Sequence, residues 1–205
     1  MFSKPLYNIL MSNYNQYGRQ FYGQPALKVA RDLLGGRLVR LENGRRISGI
    51  ILETEAYRGE EDQGCHAKAG LTPRTQVMYG PPGHAYIYFT YGMHWMLNFV
   101  VEPEGFPAAI LIRAIDPEEG LDVIAERRGS QPRQHWTDGP AKICQALGID
   151  GSLNGADLCA PDAELFVEKG VSIPESQVST GPRVGLNTVP EPWKSIPWRF
   201  LATNL

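Results

Sequence analysis

Residues 37–57 read RLVRLENGRRISGIILETEAY, and the fold is decided here. Asn43-Gly44 stands between two runs with strand character, and both residue types tolerate the positive φ required at the centre of a type I′ turn. The spacing therefore predicts an antiparallel hairpin whose second strand runs from Ile47 to Tyr57. Side chains alternate along a strand, so Ile50, Leu52, Thr54 and Ala56 are expected on a core-facing side. Glu53, Glu55 and Tyr57 then share the other side, with neighbours roughly 6–7 Å apart. Two carboxylates and a phenol occupy places that usually hold Val or Thr. They form either a solvated outer face or the wall of a site for something polar or cationic.

Upstream, PALKVARDLLGG carries Ala26, Val29, Ala30, Leu33 and Leu34 at helical spacing and ends in a glycine pair suited to a C-cap. Downstream, residues 58–83 show no sustained period and are rich in Gly, Pro and charge, which predicts a long loop, either functional or disordered. HAYIYFTYGMHWMLNFVVE reads as two aromatic strands turning at Tyr91-Gly92, followed by a strand in AAILIRAIDP. Helices are expected in EGLDVIAERRG and, after Asp138-Gly139-Pro140, in AKICQALGI. GPRVGL and PWRFLA read as short closing strands. Strands in the middle with helices at the flanks, and no regular βα alternation, predict an α+β fold. The expectation is a single domain with a mainly antiparallel curved sheet flanked by helices and a protruding β-hairpin. Residues 1–20 are expected to form an N-terminal arm and 21–205 the domain proper.

The 205-residue length fits one sizeable core, and 42% apolar with 20% charged residues argues against disorder and against a coiled coil. No stretch reaches the roughly 20 apolar residues of a membrane span, and the start lacks a signal-peptide pattern. A cytoplasmic, monomeric protein with no membrane partner is expected. Cys65, Cys144 and Cys159 are odd in number and unpaired in spacing, as reduced thiols would be. The net charge of −2 means that a nucleic-acid partner must be held by a local basic face. Tyr91, at a hairpin tip, is exposed by geometry, and such a wedge can push between stacked bases.

ETEAY, His66, TPR with Met78, PGHAYIYFTYGMHWMLN, LIRAIDP, GPAKICQALGI and PRVGL occur in one order over about residues 21–201. Together they resemble the alkyladenine (3-methyladenine) DNA glycosylase family. The resemblance implies flipping of a damaged purine from double-stranded DNA and hydrolysis of its N-glycosidic bond, with no cofactor. It implies that Glu55 activates the attacking water, aided by Arg113 and the backbone carbonyl of Val184. Tyr57, His66 and Tyr88 would sandwich the extruded base, with Met78 and Asn98 completing the pocket, and Asn98 would reject guanine's 2-amino group. A cationic alkylated purine would gain about 0.5–2 kcal/mol from such rings. Tyr91 would intercalate, as its tip position also suggests. Arg113 has a plainer alternative role, pairing with Glu53 or Glu55.

Backbone phosphates would meet Arg74, Lys68 and Lys142, with Arg45, Arg46 and Arg183 as further candidates. Thr75 and the Trp95-Met96-Leu97 run depart from the family's usual residues and put lesion range in question. Cys65, His66, His84 and His94 fit no common zinc spacing, so no metal is expected. No Lys falls in the blocks beside the sugar position, which argues for a monofunctional enzyme without strand cleavage. Two other functions fit an aromatic platform. One is a non-catalytic reader of damaged or single-stranded nucleic acid, which has no use for Glu55. The other is a hydrolase of free nucleosides, which has no use for an exposed Tyr91.

Overall fold

The computed structural model describes residues 15–203. The turn at Asn43 (φ 50°) and Gly44 (φ 77°) has both residues in the left-handed region and joins β1 (Arg37–Glu42) to β2 (Arg45–Arg58). At 14 residues, β2 is the spine of the sheet. Along one edge it pairs with β5 (Ala108–Glu119); along the other it pairs first with β1 and then, at Glu53–Glu55, with β8 (Arg199–Ala202). The aromatic hairpin of β3 (Ala85–Thr90) and β4 (His94–Val100) extends the sheet beyond β5. Beyond β1 lies β6 (Leu165–Glu168), and β7 (Val178–Gly181) pairs with β8. Among the described residues this makes an open sheet of eight strands, ordered β3-β4-β5-β2-β1-β6 with β7 and β8 attached through β2, and every pairing is antiparallel.

Alternation along the strands divides the sheet into two unlike faces. Ala85, Ile87, Leu97, Phe99, Ile110 and Ile112 join the main core. Against them pack α1 (Arg19–Tyr22), α2 (Ala26–Asp32), α3 (Leu121–Arg128) and α4 (Pro140–Leu147). Buried Val29, Ala30, Ile124, Ile143 and Leu147 come from the apolar stripes of these helices. Each fully buried Val, Leu or Ile is worth roughly 1.5–3 kcal/mol, so this layer anchors the sheet. The intervening residues Tyr86, Val100 and Ala109 face the other way and form a second cluster with Cys65, Ala67 and Met78. Those three come from the long segment after β2, which folds into two short 3₁₀ turns, His66–Ala69 and Gln76–Tyr79. The expected α+β domain with a protruding hairpin is therefore observed.

One expectation about β2 is corrected. Ile51, not Ile50 or Leu52, shares the main core with Ala56, and Thr54 is buried with its hydroxyl donating to Ala30 O at 2.8 Å. The core phase changes because the ladder to β5 is irregular. It runs Ile51↔Ile115, Glu53↔Ala114, Thr54↔Ile112, leaving Leu52 and Arg113 without partners. One extra residue on each strand cancels in register but reverses the parity of both, from Ile51 and Ile115 to Thr54 and Ile112. Such irregularities re-aim side chains locally.

GPRVGL is not a strand: residues 182–186 form a loop with a turn, and the strand lies just before it, in β7. Of the expected N-terminal arm, residues 1–14 lie outside the described residues. The remainder is tied to the domain: Tyr17 N–H donates to Val167 O at 2.9 Å, and Arg19 pairs with Asp157 at 2.6 Å. Among the described residues no helix is long and apolar enough to cross a membrane.

Candidate active site

The pairings place Tyr86 opposite Asn98, Asn98 opposite Leu111, Leu111 opposite Glu55, and Glu55 opposite Arg199. This row crosses five strands on the face away from the helices. With strands about 4.8 Å apart, Asn98 and Glu55 are separated by roughly 10 Å. A cleft of about 310 Å³ opens over the row, within the range of small-molecule pockets. Tyr57, His66, Met78, Tyr88, Tyr91, Asn98, Arg113 and Val184 all contribute to its lining.

Glu55 is fully buried, just behind that lining. Its Oε2 accepts from Tyr57 Oη at 2.7 Å, and its Oε1 accepts from the Val184 N–H at 2.6 Å. Arg113 Nε lies 3.4 Å from Glu55 Oε1 and 3.2 Å from Glu53 Oε1, so it spans both acids, and Arg199 also approaches Glu53 at 3.4 Å. Burial pushes the Glu55 carboxyl above its ordinary range, while Arg113, the Val184 amide and the Tyr57 hydroxyl pull it back. Tyr57 rises well above its usual value through burial and the adjacent carboxylate, so it stays protonated as a donor.

On the other flank, His66 meets Tyr88 edge to face with centroids 4.6 Å apart, and its Nδ1 lies 2.9 Å from Tyr86 Oη. Burial, then Arg74 and Lys68, lower the imidazole to about 4, so His66 presents a neutral ring at physiological pH. Asn98 is buried, with Nδ2 donating to Tyr86 O at 3.0 Å. At the rim, Tyr91 is 84% exposed at the hairpin tip, flanked by exposed Phe89 and Met93. Its φ of 52° and that of Gly92, 67°, form the tight reversal.

The profile of the methylpurine-DNA glycosylase (MPG) family matches residues 20–205. The chain belongs to the methylpurine-DNA glycosylase family. Among its relatives, a protein of Methanocella arvoryzae named "Putative 3-methyladenine DNA glycosylase" is 46% identical over 187 residues, 91% of this chain and 92% of the relative. Proteins with the same name from Myxococcus xanthus (47% identity, 91% and 89% coverage) and Carboxydothermus hydrogenoformans (45%, 91% and 94%) are similarly close. The family makes this chain a DNA glycosylase and DNA its substrate, rather than a passive reader or a hydrolase of free nucleosides.

In this glycosylase the sequence-derived pocket residues converge, while the phosphate candidates divide. Arg74 stands 4.9 Å from the Tyr88 ring centroid, Lys68 donates to Gln63 O at 2.9 Å, and Lys142, two residues after Pro140 of the cleft wall, pairs with Asp138 at 2.7 Å. Arg45 and Arg46 do not belong with them. They sit at the far end of β2, Arg45 paired with Asp122 and Arg46 held between Glu119 and Glu168. Arg183 is no surface cation either, since its side chain and that of Asp62 are wholly buried as an ion pair. The contact observed at Val184 is its N–H on Glu55. The Asp62–Arg183 pair escaped sequence reasoning, because a charged residue is by default assigned to the surface.

Proposed function

We propose that this glycosylase excises 3-methyladenine and hypoxanthine from duplex DNA. Tyr91 fills the gap left by the rotated nucleotide, which lowers the cost of unstacking by occupying the vacated step. The base enters the aromatic cleft between Tyr57 and the His66–Tyr88 pair, and Asn98 rejects guanine-type bases at the minor-groove edge. Water attacks the anomeric carbon as the C–N bond breaks, its electron pair leaving with the purine. Glu55 takes the water proton and stabilises the cationic sugar, and Arg113 fixes the carboxylate. An abasic site and a free base result, without strand scission, as in a monofunctional enzyme; cationic 3-methyladenine leaves neutral, and hypoxanthine leaves as its anion and takes a proton from solvent. Arg74, Lys68 and Lys142 hold the flanking phosphates.

The observation that carries this reading is a buried carboxylate held by two hydrogen-bond donors and a facing guanidinium at the wall of an aromatic cleft. The test is incubation with a hypoxanthine-containing duplex, followed by hot alkali. Wild type is expected to yield strand breaks only after alkali, and Glu55→Gln to bind without turnover. Breaks at the wild-type rate from Glu55→Gln would remove Glu55 as the base.

A further inference from the structure

The Val184 amide reaches Glu55 from a loop, and that loop is held by its neighbour in sequence. Arg183 Nη2 donates to Asp62 Oδ1 at 2.8 Å and Nη1 to Asp62 Oδ2 at 2.5 Å. The second hydrogen on Nη1 goes to Ala56 O at 3.0 Å, the carbonyl between Glu55 and Tyr57, and that on Nη2 to Trp193 O at 3.3 Å. The guanidinium Cζ lies over two rings, 4.6 Å from the Tyr57 centroid and 5.2 Å from that of Trp198. Asp62 in turn accepts from the Gly64 and Arg58 N–H groups at 2.9 and 3.3 Å, which fixes the start of the segment leading to His66.

We propose that Arg183 is a positioning residue for base excision: clamped by Asp62 and set over the rings of Tyr57 and Trp198, it holds the Val184 amide on Glu55 and sets the plane of the Tyr57 ring. Only arginine supplies this combination, since a planar fork can bind a carboxylate with two bonds while stacking on aromatic faces. Lysine offers a point charge that satisfies one contact at a time. The packing is close: a methyl added at Gly64 would lie 2.6 Å from Leu186 Cδ1 and 2.8 Å from Arg183 Nη2. One guanidinium thus joins β2, the segment carrying His66, and the loop carrying Val184.

The inference rests on Glu55 acting as the base, and its test separates the two. The groups facing Glu55 are Arg113 from β5, Glu53 and Tyr57 from β2, and the Val184 amide, while Arg199 of β8 acts through Glu53. Arg183→Lys keeps the charge but loosens the amide, one of the donors that favour the ionised carboxylate. Single-turnover excision of hypoxanthine is measured across pH beside Glu55→Gln, with the melting temperature of each variant. In Arg183→Lys the acidic limb is expected to move to higher pH and the plateau to fall roughly 10- to 100-fold. Binding to a duplex carrying an uncleavable abasic analogue should stay within about twofold, because the cationic groups at the DNA face are untouched. Gly64→Ala, which leaves every charge in place, should shift the limb in the same direction by less. It carries the test alone if Arg183→Lys does not fold. An unshifted limb in the folded variants, with Glu55→Gln inactive, overturns the positioning role alone. Wild-type turnover by Glu55→Gln overturns the base assignment and this inference with it.

Discussion

Tyr57 Oη donates to Glu55 Oε2 across 2.7 Å, so the ring that flanks the cleft is also bonded to the buried acid. The two residues are next but one on β2 and share a face because of strand alternation. In the proposed reading, recognition of a base on the ring and the state of the acid behind it are mechanically joined.

Tyr57→Phe preserves the ring and removes the bond. A hydrogen bond to a charged group is worth about 1.5–3 kcal/mol, and this one favours the ionised form of Glu55. Its loss adds to the upward push of burial, so the acidic limb of the pH–rate profile should move to higher pH, with excision near neutrality falling roughly tenfold. A profile superimposable on wild type would show that the hydroxyl has no part in ionising Glu55.

Burial raises the folded-state value of Glu55, so the folded protein holds that proton more tightly than the unfolded chain. The stabilising contribution is therefore full below the unfolded value and is lost as pH rises through the folded one. Glu55→Gln, which cannot ionise, should melt above wild type at neutral pH, and the gap should close in acid. Thermal melts of both proteins across pH check this, and a lower melting temperature for the variant at neutral pH would contradict it.

Tyr91 is exposed and contributes little to folding. Tyr91→Ala should change stability by no more than about 0.5 kcal/mol. It should reduce excision from duplex DNA at least tenfold while affecting single-stranded substrate less, since only the duplex has a gap to fill. Parallel single-turnover assays on the two substrates decide it, and equal losses on both would point away from a wedge.

The arginines separate by salt dependence. Arg74→Ala should lower the slope of log affinity against log salt by about 1, as loss of one phosphate contact does. Arg46→Ala should leave that slope unchanged and cost about 0.5–1 kcal/mol of stability through its partly exposed acidic partners. Titrations on one lesion-bearing duplex at several salt concentrations distinguish them.

The hairpin turns and the aromatic strands were legible because their signals are local: Asn43-Gly44 and Tyr91-Gly92 need no distant partner to specify a reversal. The same holds for α4, whose Pro140 start and apolar positions Ile143, Ala146 and Leu147 suffice. Glu55 and Tyr57 were readable as a pair by alternation, and their roles through family likeness. The phase change at Leu52 was not readable, because it exists only in the register with β5, where Arg113, some sixty residues away, is likewise skipped. β6 and β7, four residues each, carry too little pattern to stand out. Arg183 gave no sign of its burial, since Asp62 lies 121 positions from it.

Leu52 has no partner across the β2–β5 ladder, yet the arrangement needs it as a spacer. Were it deleted alone, the portions of β2 and β5 on either side of the gap would fall out of step, and every side chain past it would oppose the wrong neighbour. Removing Arg113 as well would restore an even weave and take away the cation that bridges Glu53 and Glu55. Position 52 is thus fixed in existence, and a change of length in either strand keeps the register only when the other strand changes with it.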